Sequence, residues 1–168
     1  MEPLRSPNSQ NNIPQPGQQA PNFTALDQDD NQLSLTDFSD QWIVLYFYPK
    51  DDTPGCTVEA KDFTDLSQEF NQLKAKILGV STDSSKSHCR FINKYNLSIT
   101  LLSDPEHHLA ELYGAWRLKK FMGKEYMGIA RSTFLISPDR IIAHTWSIVK
   151  PKNHAEQVLT KLQELSAT

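Results

Sequence analysis

Trp42-Ile43-Val44-Leu45-Tyr46-Phe47-Tyr48-Pro49-Lys50-Asp51-Asp52-Thr53-Pro54-Gly55-Cys56-Thr57-Val58-Glu59 joins a continuous apolar run, 42–48, to a helix start. A short unbroken run rich in aromatic and β-branched residues is the pattern of a strand buried on both faces, as in the middle of a parallel sheet. Pro49 ends it, because proline has no N–H for the next ladder bond. Thr53 is a natural N-cap, and Pro54 then falls at the first helical position, where a missing N–H costs nothing. That register puts Gly55 and Cys56 second and third in the helix, among N–H groups without an intrahelical acceptor and at the positive end of the helix dipole. A thiol in this place ionises more easily, and the thiolate is the nucleophilic form. The same donors can bind oxygen atoms of a substrate, and Gly55 keeps side-chain bulk off the approach.

Working outward, 23–26 and 32–35 flank the turn-rich 27–31 and predict an N-terminal β-hairpin. Residues 1–18 are dominated by Pro, Asn, Gln and Ser with no apolar period, which predicts a flexible tail ahead of a single domain over 19–168. Beyond Cys56 a helix is expected from Thr53 to about residue 72, with Phe63, Leu66, Phe70 and Leu73 on one face. A second buried strand is expected over 77–82, then a helix over 85–96 striped by His88, Phe91, Ile92 and Tyr95. A strand over 99–102 and a short helix over 107–113 continue the alternation. Residues 132–137 and 140–146 predict an antiparallel hairpin around Ser137-Pro138-Asp139-Arg140, with Pro138 at the second position of a type I turn. The last helix is expected to start at Asn153, with Glu156 completing a capping-box analogue, and to run through Val158, Leu162 and Leu165. A β-α-β half followed by an antiparallel hairpin and a terminal helix is the order of the thioredoxin-like α/β fold, a central mixed sheet flanked by helices.

Composition narrows the function. The chain has 168 residues, 38% of them hydrophobic, a formal net charge of −3 and a pI near 5.9, so it lacks the basic footprint of a nucleic-acid binder. The run 42–48 is far too short to span a bilayer. No apolar segment follows the charged start in the way of a secretory signal, which makes a cytoplasmic location the expectation. Two cysteines in such a chain suit working thiols or a redox pair better than a structural framework. No phosphate-binding glycine loop or dinucleotide fingerprint is present, so no cofactor is implied.

The stretch YFYPKDDTPGCTVEA (46–60) resembles the signature of the peroxiredoxins, and within them the bacterioferritin-comigratory-protein or PrxQ subfamily. The similarity continues through GVSTDSSKSHCRF (79–91), LLSDPEHHLAELYGAW (101–116) and RSTFLISPDRII (131–142), covering about residues 20 to 165. The resemblance implies a thiol peroxidase in which Cys56 is the peroxidatic nucleophile, attacking a peroxide oxygen to form a sulfenic acid. It implies that Thr53 places its hydroxyl near thiolate and peroxide, and that Pro49 shields the pocket. Arg131 matches the family's active-site arginine, whose guanidinium stabilises the thiolate and the leaving oxygen. Gly55, Cys56, Thr53 and Arg131 would contact the substrate, and Glu59 would hydrogen-bond the helix start or the arginine. The implied partners are a hydroperoxide and thioredoxin or a similar dithiol reductant, and the implied state is a monomer without a metal.

One departure stands out. Many members of the subfamily carry a resolving cysteine five residues after the peroxidatic one, where this chain has Lys61. The remaining thiol, Cys89, lies 33 residues on (89 − 56), in the next expected helix. Some members resemble this instead, at a spacing about a turn longer, which makes Cys89 the tentative resolving residue. An inert cysteine at the edge of the helix stripe is the alternative. A thiol–disulfide oxidoreductase would need C-x-x-C, but Glu59 follows Cys56 at that spacing. A Cys–His hydrolase using His144 or His88 lacks a local signature. A metal site from His88, Cys89, His107 and His108 is disfavoured because adjacent histidines on a helix point apart. A binding protein with an inert Cys56 leaves the set Pro49, Thr53, Cys56 and Arg131 unexplained.

Overall fold

The run that opens the sequence argument becomes β3 (Trp42–Phe47), an inner strand buried on both faces in a computed structural model that describes residues 12–167. It pairs in parallel with β4 (Ala75–Ser81), in register Tyr46 to Gly79, and antiparallel with β8 (Ser132–Ile136). β5 (Thr100–Ser103) extends the parallel side, and the hairpin of β1 (Thr24–Asp27) and β2 (Gln32–Ser34) adds antiparallel strands beyond it. On the other side β8 pairs with β9 (Ile142–Trp146). The seven-stranded order β2-β1-β5-β4-β3-β8-β9 is the mixed sheet of a thioredoxin-like fold, with the expected N-terminal hairpin at one edge.

Alternation along β3 divides the core. Val44 and Tyr46, followed by Tyr48, face a cluster with Cys56, Ala60 and Phe63 of α1 (Pro54–Asp65) and Phe70 of α2 (Ser67–Gln72). Phe91 of α3 (Ser85–Tyr95) joins them, with Val158 and Leu162 of α5 (His154–Ser166). Ile43, Leu45 and Phe47 face the opposite cluster, with Phe23, Phe134, Tyr113 and the short α4 (His108–Leu112). Burial on both faces is why the run carries no charged residue.

Four expectations are corrected. The helix expected from Thr53 to about residue 72 breaks at Leu66, where Thr64 accepts from the Ser98 N–H and Ser67 meets the Ser98 hydroxyl. The break still lets Phe63 and Phe70 fill one core, their ring centroids 5.9 Å apart. Residues 116–129, given no element from sequence, form a separate hairpin, β6 (Trp116–Phe121) with β7 (Lys124–Ile129). Its two-residue turn has positive φ at both Met122 and Gly123, the backbone that suits the strands' twist. Asn153 does precede α5, but in the left-handed region and without a side-chain cap, so the capping-box analogue is not formed. Finally, part of the expected tail packs on the domain. Ile13 joins the core beside Gly114, the Gly17 N–H donates to the Ile142 carbonyl, and Thr145 donates to the Pro14 carbonyl. The rest of that tail, residues 1–11, lies outside the described residues.

Candidate active site

β3 delivers the chain to the site. The Tyr48 N–H still bonds the Val80 carbonyl, then Pro49 turns the backbone off the sheet toward α1. Thr53 is the N-cap of α1 and Pro54 its first residue, as the sequence predicts, and the first backbone bond is Thr57 N–H to the Thr53 carbonyl at 2.8 Å. The Thr53 hydroxyl does not cap the helix. It donates to the Lys50 carbonyl at 2.8 Å, which leaves the amides ahead of Thr57 without a side-chain cap and leaves the oxygen's lone pairs free to accept.

Cys56 is 1% exposed, and its Sγ accepts from Arg131 Nη2 at 3.4 Å. Arg131 sits just before β8, the strand beside β3, so antiparallel pairing brings residues far apart in sequence to one end of the sheet. Its other terminal nitrogen, Nη1, donates to Glu59 Oε1 at 2.7 Å. Cys56 and Glu59 are three residues apart on one face of α1, so a single guanidinium reaches both. Of the two partners the sequence left open for Glu59, the arginine is the one it takes. Gly55 makes room for this: a Cβ there would meet Arg131 Nη2 and Pro151 Cγ, each at 3.2 Å.

The electrostatics are those of a largely buried site. Glu59 is wholly buried, and desolvation lifts its pKa to about 7, against the lowering pull of Arg131. Its second oxygen, Oε2, and the Tyr46 hydroxyl are both buried without a protein partner. Burial, and then the charges of Glu59 and Cys56, hold the Tyr46 phenol well above its ordinary range. Lys119 of β6 adds a second cation. Its Nζ donates to the Ile129 carbonyl at 2.8 Å, and burial first, then Arg131, lowers its pKa while Cys56 opposes. Sequence reasoning missed Tyr46 and Lys119. Tyr46 reads simply as core, and Lys119 belongs to a hairpin that the sequence did not reveal.

Cys89 lies on α3, partly exposed, with its Sγ facing Asn93 Nδ2 at 3.7 Å, and both cysteines are free thiols. Lys61, on α1, points its ammonium over the Tyr95 ring of α3. The histidines considered as partners for Cys56 are engaged elsewhere: His88 with Asp51 and the Leu102 carbonyl, His144 against the Trp146 ring. His107 stacks on Trp116 and His108 meets Glu106, so the four residues weighed as a metal set point to different neighbours.

A buried thiol at a helix N-terminus, bonded by an arginine that a buried carboxylate holds, thus sits at one end of a thioredoxin-like frame. Residues 16–145 match the AhpC/TSA family, and the chain belongs to it, among the peroxiredoxins of the Bcp and PrxQ kind. It is 48% identical over 150 residues to Peroxiredoxin Bcp of Bacillus subtilis, covering 89% of this chain and 96% of that one. Against Peroxiredoxin Bcp of Escherichia coli K12 the identity is 45% over 148 residues, covering 88% and 95%. Among solved structures, Peroxiredoxin Q of Xanthomonas campestris superposes with a TM-score of 0.82 at 41% identity, covering 86% of this chain and 91% of that one.

Proposed function

We propose that Cys56 is the peroxidatic cysteine of this peroxiredoxin and that Arg131, Thr53 and Pro49 complete its pocket. The observation that carries this reading is the Arg131 Nη2 contact with Cys56 Sγ, 3.4 Å long, in the first turn of α1. The Cys56 thiolate attacks the terminal oxygen of the hydroperoxide. The O–O bond breaks, an S–OH forms, and the leaving oxygen takes a proton to depart as water or an alcohol. Arg131 stabilises charge first on sulfur and then on the leaving oxygen, and because Glu59 fixes it beforehand it pays little reorganisation. The Thr53 oxygen, its own hydrogen committed to Lys50, accepts from the peroxide O–H. Gly55 lets the guanidinium lie over the helix start, and Pro49 shields the pocket from water.

A solved structure of the Xanthomonas campestris bacterioferritin comigratory protein is described in terms of its alkyl peroxide reduction activity. By that likeness this chain takes organic hydroperoxides as well as hydrogen peroxide. Cys89 then condenses with the Cys56 sulfenic acid, giving a disulfide and water, and thioredoxin or a similar dithiol protein reduces the disulfide. The working form is a monomer in the cytoplasm. Among the described residues no helix is long and apolar enough to cross a membrane. Peroxide consumption with thioredoxin and its reductase tests the reading: Cys56→Ser should show no turnover, and turnover equal to wild type would remove Cys56 from the chemistry.

A further inference from the structure

We propose that His88 and Asp51 are positioning residues for the resolving step, a buried pair that staples the turn carrying Cys89 to the loop leading into Cys56. The inference rests on the reading of Cys56 as peroxidatic and Cys89 as resolving. His88, wholly buried on α3, places Nδ1 2.7 Å from Asp51 Oδ2 and Nε2 2.9 Å from the Leu102 carbonyl. Asp51 also accepts from the Tyr48 hydroxyl at 2.6 Å and the Ser87 hydroxyl at 2.8 Å. Its N–H donates to Asp83 Oδ2, which takes a further bond from Ser81. Asp51, Asp83 and His88 lie close enough to suggest a cation site, but these bonds to one another and to Tyr48, Ser81 and Ser87 account for the grouping. An outer link repeats the connection at the surface: Lys94 Nζ and Tyr95 Oη, both on α3, donate to Asp52 at 2.7 and 2.6 Å.

The opposite end of the problem is held far less tightly. Thr53 gives the first turn of α1 no side-chain cap, and the Cys56 sulfur takes a single side-chain hydrogen bond, from Arg131. The part able to open at low cost is therefore the Cys56 turn, while the Cys89 turn stays clamped. Along the chain the cysteines are separated by 33 residues (89 − 56), but through the staple the path is short. Cys56 follows Asp51 by five residues (56 − 51), and Cys89 adjoins His88. Five residues reach at most about 18 Å when fully extended. An opened Cys56 sulfenic acid thus searches a small volume centred on the clamp beside Cys89. The staple raises the effective concentration of the resolving thiol, as a short linker does between two binding sites.

The test compares reduced wild type, Cys89→Ser, His88→Gln and Asp52→Asn after one equivalent of hydrogen peroxide. Peroxide loss reports the first oxidation, and quenched peptide mapping reports the 56–89 disulfide and Cys56 sulfinic acid. His88→Gln should oxidise within about twofold of the wild-type rate yet form the disulfide on the order of tenfold more slowly, with more sulfinic acid at higher peroxide. A variant that merely loosens the fold would slow both steps. Asp52→Asn, at an exposed position, should shift the same ratio by less, and it decides the matter alone if His88→Gln does not fold. Disulfide formation at the wild-type rate in the folded variants overturns the staple. A wild type that forms no 56–89 linkage instead overturns the resolving role of Cys89, an outcome visible before any variant is compared.

Discussion

In the proposed reaction Arg131 has the central role, since its guanidinium touches both the sulfur and the buried carboxylate. Replacing it with Met keeps bulk and removes both donors, and losing one such donor typically costs about 100-fold or more in rate. Second-order oxidation of Cys56 by hydrogen peroxide should fall by that order, and a rate within threefold of wild type would exclude Arg131. Glu59 gives a pH signature. Its folded pKa of about 7 lies above its ordinary 4.5, so the native state holds the proton more tightly than the unfolded chain. That contribution to stability is complete below about pH 4.5 and is lost as pH rises through about 7. Glu59→Gln keeps an oxygen for Arg131 and abolishes the titration. The melting temperature of the variant relative to wild type should therefore climb between pH 5 and 8, and a flat difference would contradict the raised pKa. The places of Thr53, Pro54 and Cys56 at the helix start were legible because helix-start register is local, although the Thr53 hydroxyl bonds the Lys50 carbonyl instead of capping. Tyr46 and Lys119 were not, because their nearness to the thiol is made by strand pairing and by a hairpin.

At the scale of elements, Gly79 shows how the sheet constrains its own sequence. In β4 it stands between Tyr46 of β3 and Leu101 of β5, and a Cβ there would lie 2.8 Å from each side chain. Overpacking of this kind costs about 1–3 kcal/mol. Gly79→Ala should lower the urea midpoint accordingly with the m-value unchanged, and an unshifted midpoint would mean that the Tyr46 ring moves freely. The strands were legible where both faces are buried, as in 42–48, or where a turn residue marks the end. The β6–β7 hairpin was not, because Leu118, Phe121, Tyr126 and Met127 are exposed and give no burial period to read. The break at Leu66 has no proline or glycine beside it and follows from contacts with Ser98, which lies more than thirty residues away in sequence. Ile13 escaped for a similar reason: one apolar residue in a polar segment makes no pattern, yet it fills a place beside Gly114, whose Cβ would strike it.

Across the whole molecule, the sheet brings four dispersed pieces to one end: the turn after β3, the start of α1, the approach to β8 and, through Asp51 and His88, the α3 turn that holds Cys89. Element order made the frame legible, and the resemblance of 46–60 to a family signature singled out Cys56 as the candidate nucleophile. The hydrogen bonds that tie the loop before α1 to α3 were invisible, since His88 reads in sequence as one member of a helix stripe. In the proposed reaction, peroxide oxygen is transferred to Cys56. Reduced protein treated with one equivalent of hydrogen peroxide in the presence of a sulfenic-acid-trapping 1,3-dione, then mapped by mass spectrometry, tests it directly, with Cys89→Ser used so that no disulfide competes. The adduct should appear on the Cys56 peptide in step with peroxide loss. An adduct confined to another residue, or peroxide consumed with Cys56 left as a free thiol, would contradict the account.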